Sequence, residues 1–400
     1  PSAGSRDDVE ERALLVSKDE PWPSRPSLLA SWPAALVPTV AAALCAGLMA
    51  CAAMSLVALL RPPPALRASS CTRAPTPAPT AAPVLAPAGT NLGGWLVLED
   101  WFFSGQEGRY VTSADPQGQG ACLPPLARGT STRWPSEGLL VRRLNQTHGR
   151  QKAIDIIAAH RHSFIGAQDL TLIAELGIRQ VRLPLTWAAF ADALTPLDPA
   201  VYGAHNATTD TALVPDPFHA ENATLVTVPR ASLEDFLRRA GDRGLRVVLD
   251  LHSMPGGSSD GTYNGVWPLQ PSFWTGFSNV GVASVALRTA GLWVVASLIG
   301  WLESLDEKTR SAVGGITAMN EPAHMAASLG FAEEGAVLDW LTSAAELFRR
   351  SSLPRRGVKL YVNLIETAFT DFWRAVVPWW HRTFSEAERR RWAVFDVHWY

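Results

Sequence analysis

Residues 89–400 of this 400-residue chain predict a (β/α)8 barrel with about six of its eight strands present, set behind an apolar span and a proline-rich stalk. Six short apolar runs alternate with helical patterns, which is the signature of a parallel α/β sheet. Most of the runs end in a polar or charged residue, as barrel strands do where they deliver groups to the C-terminal face. A doubly wound sheet would instead need a glycine-rich phosphate loop after its first strand. Here Gly93-Gly94 fall inside the first run, and Gly256-Gly257-Ser258-Ser259-Asp260-Gly261 lacks the lysine of a phosphate-binding loop. The length suits one barrel with appendages, and a net charge of −2 points to no nucleic-acid partner.

Residues 1–33 are polar and mixed in charge, as in Arg6-Asp7-Asp8-Val9-Glu10-Glu11-Arg12, and read as a disordered cytoplasmic tail. From Ala34 to Leu60 the chain runs 27 residues without a charge, and about 20 apolar residues suffice to cross a bilayer. A cleaved signal peptide has an apolar region of only about 7–15 residues, nearer the N-terminus. Residues 34–60 therefore read as a transmembrane signal anchor. Positive charges on its two sides nearly balance. The sequons at Asn145, Asn206 and Asn222 all follow it, however, which favours a single-pass type II protein with its bulk luminal or outside the cell. Residues 61–88, rich in Pro, Ala and Thr, form an extended stalk. Cys45 and Cys51 lie in the span; Cys71 and Cys122 lie beyond it and could form a disulfide or stay as two thiols.

Within the globular part, Asn91 to Glu99 reads as the first strand, with Glu99 at its end. Residues 104–150 read as loop. Helical patterns follow at 152–163 and 167–176, the second closed by Gly177. Ile178 to Leu183 is the next strand, with Arg182 near its tip and Pro184 ending it. A long insertion, 186–228, shows little periodicity. A helix over 233–243, stopped by Gly244, leads into the strand Leu245 to His252. The apolar helix 289–302 is too short to span a membrane and reads as a buried barrel helix. The fourth strand ends in Thr317-Ala318-Met319-Asn320-Glu321-Pro322. A helix with Val337, Leu341, Ala344 and Phe348 on one face follows, then strands at 358–362 and 393–398.

In a barrel the strand-tip residues Glu99, Arg182, His252, Asn320, Glu321, His398 and Tyr400 converge on one face. A Glu beside an Asn and a placed His can protonate a leaving oxygen when burial tunes it. The bland alternative for 318–322 is an ordinary strand-to-helix turn with a solvated glutamate. Trp95, Trp101, Trp187, Trp267 and Trp399 lie near the tips and could face sugar rings, although each one alone reads first as core packing. His148, His160, His162, His205, His219, His324 and His381 read as surface or structural residues. His252 and His398 have no carboxylate or cysteine at ligand spacing, so no metal and no other cofactor is expected.

These pieces resemble glycoside hydrolase family 5, and within it the fungal-type exo-β-1,3-glucanases (glucan 1,3-β-glucosidases). The matching stretches are Asn91-Leu92-Gly93-Gly94-Trp95-Leu96-Val97-Leu98-Glu99, the block from Ile165 to Phe190 with Val181-Arg182-Leu183-Pro184, Asp250-Leu251-His252 with Pro255-Gly256, Asn320-Glu321-Pro322, and Asp396-Val397-His398-Trp399-Tyr400. They occur in the family's order over most of 90–400. The resemblance implies that Glu321 is the general acid/base and that Asn320 contacts the 2-hydroxyl of the sugar being cleaved. It implies that Arg182, His252, His398 and Tyr400 surround the nucleophile, and that Glu99 holds the terminal glucose. The family retains anomeric configuration, which requires two carboxylates about 5 Å apart. The expected partner is a β-glucan or related oligosaccharide, reached by a protein anchored in the membrane through residues 34–60.

The chain also departs from the family. The family's nucleophile is a Glu on a seventh strand, and the sequence stops after the sixth, so the 400 residues are expected to be a fragment lacking that nucleophile and a sugar-stacking Trp. Ser253 stands where these enzymes usually have Gly, Thr186-Trp187-Ala188 replaces an aromatic-rich run, and the insertion 186–228 remodels the cleft rim. A β-1,4-glucanase or mannanase of the same family, or an inactive sugar-binding relative, remain the alternatives.

Overall fold

The computed structural model describes residues 89–99, 136–219, 223–258, 262–266, 269–281, 284–322, 333–365 and 372–398. The tail, the span at 34–60, the stalk, Cys71, Cys122, Asn222, Trp101, Trp267, Trp399 and Tyr400 lie outside the described residues.

Eight strands are present among the described residues: β1 (Gly89–Asn91), β2 (Gln180–Thr186), β3 (Leu213–Pro215), β4 (Thr224–Val226), β5 (Arg246–Ser253), β6 (Val313–Thr317), β7 (Lys359–Ile365) and β8 (Ala393–His398). Six of them form one sheet in the order β1-β2-β5-β6-β7-β8, and every neighbouring pair is parallel. Spatial order therefore follows chain order throughout. A doubly wound sheet must reverse direction at a switch point; this one never does, which is the topology of a partial (β/α)8 barrel. Strands β3 and β4 form a separate antiparallel pair.

The longer helices among the described residues are α1 (Glu137–His148), α2 (Arg150–Phe164), α3 (Ala167–Glu175), α4 (Arg230–Gly241), α5 (Leu287–Ser304), α6 (Glu334–Arg350), α7 (Val377–Thr383) and α8 (Glu386–Arg391), with short helical turns at Pro199–Tyr202 and Glu307–Ser311. The outward side chains Val181, Leu183 and Leu185 of β2, Val247, Leu249 and Leu251 of β5, Ile316 of β6, and Leu360 and Val362 of β7 share one buried cluster with α4, α5 and α6. Burying each such side chain contributes about 1.5–3 kcal/mol. A one-residue slip of β5 would exchange Leu249 and Leu251 for Asp250 and His252, so the apolar face fixes which groups point inward. Among the described residues no helix is long and apolar enough to cross a membrane. The 18-residue α5 is instead buried along one side, from Leu287 to Leu302.

Several boundaries differ from those expected. The first strand stops at Asn91, and Leu92 to Glu99 is a buried turn segment with Gly94 at φ 70. Burial without strand pairing produces the same apolar run. Pro184 does not end β2. The pairing with β1 reaches only Arg182, so Pro184, which has no N–H to give, needs a partner on the β5 side alone. Strand β6 ends at Thr317 and does not run on to Pro322. The region 104–150, expected as loop, contains α1, which buries Leu140, Val141 and Leu144. The insertion 186–228 holds the β3–β4 pair and a 3-10 helix at Trp187–Leu194.

Candidate active site

Because side chains alternate along a strand, Asp250 and His252 share the inner face of β5. Asp250 is fully buried, and its Oδ2 lies 2.9 Å from Arg182 Nη2 and 2.5 Å from His252 Nδ1. Burial by itself would raise the Asp250 carboxyl, but Arg182 and His252, with His398 farther off, hold it below the usual carboxylate range. An ionised Asp250 accepts the Nδ1 proton of His252, which turns Nε2 toward Glu99 Oε1, 4.0 Å away. Arg182 Nη2 also donates to Asn320 Oδ1 at 2.5 Å, and the Asn320 backbone N–H donates to Leu251 O at 2.9 Å. The ring of Tyr263 packs edge-on against His252, with centroids 5.5 Å apart.

Glu321 follows directly. It is 7% exposed and has φ 40, the one positive φ among the described non-glycine residues. Such a conformation costs about 1–3 kcal/mol and needs its surroundings to hold it. Its N–H donates to Asn363 Oδ1 at 2.6 Å, and its Oε1 lies 2.7 Å from His398 Nδ1. Asn363 and Asp396 are register partners on β7 and β8, and Asn363 Nδ2 donates to Asp396 Oδ2 at 3.1 Å. The same Asp396 oxygen lies 3.9 Å from His398 Nε2, so the imidazole stands between two carboxylates.

The Glu99 end is built by helices. The Leu98 N–H donates to Glu137 Oε2 at 2.9 Å, and Glu137 pairs with Arg161 at 3.2 Å. Arg161 also donates to Thr227 O and Val226 O at 2.9 and 3.0 Å, which ties in β4. His160 Nε2 donates to Gly94 O at 2.9 Å, and burial pushes this imidazole down to about 4.

Six expected residues, Glu99, Arg182, His252, Asn320, Glu321 and His398, are thus brought to one end of the sheet; Tyr400 lies outside the described residues. The Asn320–Glu321 peptide joins the Arg182–Asp250–His252 group to the Glu321–His398 group. Trp95 and Trp187 are core residues, as the first reading of each indole has it. Trp95 stacks edge-on against Phe236 at 5.1 Å and donates to Arg161 O at 2.7 Å, while Trp187 is fully buried. Asp250, Asn363, Asp396, Tyr263 and the Glu137–Arg161 pair were not among the expected site residues. Asp250 carried a readable signal, its two-residue spacing from His252. Asn363 and Asp396 become partners only through the β7–β8 register.

No family model matches the chain. It is 26% identical over 284 residues to a probable glucan 1,3-β-glucosidase A of Aspergillus clavatus, covering 70% of this chain and 50% of that relative. It is 28% identical over 171 residues to a glucan 1,3-β-glucosidase of Blumeria graminis, covering 42% of this chain and 28% of that relative. A solved rutinosidase from Aspergillus niger is 15% identical, with a TM-score of 0.41 over 69% of this chain and 62% of its own. The chain spans half the length of the A. clavatus relative. The likeness to glucan 1,3-β-glucosidases that the motifs carry is therefore also a likeness along the greater part of the sequence.

Proposed function

We propose that the chain is a retaining glycoside hydrolase of β-glucan, acting on β-1,3 linkages, with Glu321 as general acid and base. The observation that carries this reading is the placement of Glu321. It is a nearly buried carboxylate at the end of a parallel sheet, with an imidazole at 2.7 Å and a neighbouring amide, Asn320, held by Arg182. The likeness to proteins named glucan 1,3-β-glucosidase supports the substrate class. In this reaction Glu321 gives its proton to the glycosidic oxygen as a second carboxylate attacks C1 from the opposite face. Glu321 then takes a proton from the water that releases the sugar. The resemblance implies that the second carboxylate belongs to the seventh strand of an eight-stranded barrel. Arg182, Asn320, His252, His398 and Tyr400 orient the reacting groups, and Glu99 binds sugar hydroxyls. Anchoring through residues 34–60 and glycosylation at Asn145, Asn206 and Asn222 belong to the same proposal; the exposure of Asn206 supports its sequon.

The test is Glu321→Gln in the full-length protein. Hydrolysis of laminarin should fall about 10²- to 10⁴-fold, and hydrolysis of an aryl β-glucoside, whose leaving group needs no proton, should fall less. Equal activity of variant and wild type on laminarin would remove Glu321 from the chemistry. Turnover of cellulose or mannan in preference to laminarin would indicate a β-1,4-glucanase or mannanase instead. Glucan binding without turnover, unchanged by the substitution, would indicate a sugar-binding relative.

A further inference from the structure

A closed circuit of polar contacts surrounds Glu321, and two of its members have no role in the reaction described above. The Glu321 N–H reaches Asn363 Oδ1 at 2.6 Å, and Asn363 Nδ2 reaches Asp396 Oδ2 at 3.1 Å. That oxygen lies 3.9 Å from His398 Nε2, and His398 Nδ1 closes the ring 2.7 Å from Glu321 Oε1. The main chain and the carboxylate of one residue are thus held from β7 and β8 together. We propose that Asn363 is a positioning residue for Glu321. Its amide holds the Glu321 backbone at φ 40 and, through Asp396, fixes the imidazole that faces the Glu321 carboxylate. The catalytic consequence rests on the assignment of Glu321 as the acid; the positioning itself does not.

Two chemical facts make the amide specific. An uncharged amide can accept from an N–H and donate to a carboxylate at the same time. A leucine of similar size can do neither, and a carboxylate can only accept. The strand pairing is made without the amide: the β7–β8 register runs from Leu360 to Ile365 through the backbone, and the outward Leu360 and Val362 pack on the core. Asn363 is nevertheless 1% exposed, so both of its bonds are made away from water.

The experiment compares Asn363→Leu and Asn363→Asp with the wild-type full-length protein. The readouts are kcat and KM on laminarin between pH 4 and 8, melting temperature, and hydrogen exchange of the Glu321 amide. Asn363→Leu should lower kcat about 10- to 100-fold with KM little changed, and should deprotect the Glu321 amide. Asn363→Asp sets a second carboxyl beside Asp396, and the two cannot both ionise at that separation. With a shared proton the introduced carboxyl accepts from the Glu321 N–H and donates to Asp396, so activity and amide protection should recover toward wild type as pH falls and disappear as it rises. Glu321, His398, Asp396, Arg182, Asp250, His252 and Glu99 face this site in all three proteins, so the ratio of variant to wild type at each pH is the quantity compared. Wild-type kcat and protection in Asn363→Leu would overturn the inference. So would equal impairment of both variants at every pH with a lowered melting temperature, since Asn363 would then serve the fold alone. A wild type inert on laminarin would sink the glycosidase assignment, while amide exchange would still decide whether Asn363 positions Glu321.

Discussion

Gly315 lies on β6 beneath the ring of Tyr361, whose hydroxyl accepts from Gln180 Nε2 on β2 at 3.3 Å. A Cβ at Gly315 would stand 2.5 Å from Tyr361 Cε2 and 2.7 Å from Lys359 O. The ring could turn away only by giving up its bond to Gln180, and the carbonyl cannot move without disturbing β7. Gly315→Ala should therefore cost about 1–3 kcal/mol, and an unchanged urea midpoint would refute that. Strand-tip residues such as His252 and His398 were legible because a polar group closing an apolar run stands out in one dimension. What makes Glu321 distinctive was not. Its φ depends on a bond to Asn363, 42 residues away, and on a pairing that no spacing displays. The core reading of the indoles holds for Trp95: it sits beside the site in sequence, but its N–H donates to a helix carbonyl and its ring packs on Phe236.

Among the elements, the long parallel strands were readable, because each is a run of side chains that must be buried against helices. Elements outside the barrel were not. Strands β3 and β4 are three residues each, too short for alternation to register. The apolar spacing of α1 was diluted by the Gly- and Pro-rich sequence before it. These elements still bear on the site, because α1 and α2 meet through Glu137 and Arg161 and thereby hold the segment that ends in Glu99. Burial pushes the Glu137 carboxyl up, against the pull of Arg161 and the Leu98 N–H. Arg161→Met leaves that carboxyl buried without its partner and should destabilise the protein by about 3–5 kcal/mol. Glu137→Gln combined with Arg161→Met should recover part of the loss. A double variant as unstable as the single one would show that the effect lies in the lost bonds to Val226 and Thr227.

For the molecule as a whole, acid should be the weak side. His160 is fully buried and its folded-state value is lowered to about 4, against an ordinary value of 6.5. Between these values the unfolded chain binds a proton that the folded protein does not, so stability falls as pH drops from 6.5 to about 4 and then levels, at up to about 1.4 kcal/mol per pH unit. Asp250 acts in the same direction at lower pH, since its depressed value makes the folded state release its proton first. The raised Glu137 acts oppositely. His160→Gln keeps a donor for Gly94 O and removes only the His160 contribution. Its denaturation midpoint should be flatter than wild type over that window, and parallel curves would exclude His160. The Arg182–Asn320 contact has a different consequence for the whole molecule. It joins residues 138 apart in the chain, and β2, β5 and β6 must already lie side by side in register before it can close. The cost of ordering such long loops comes before the contacts repay it. In time, then, the site is a late event: helices and local turns can come and go while it does not exist, and once Arg182 reaches Asn320 the middle of the sheet is complete.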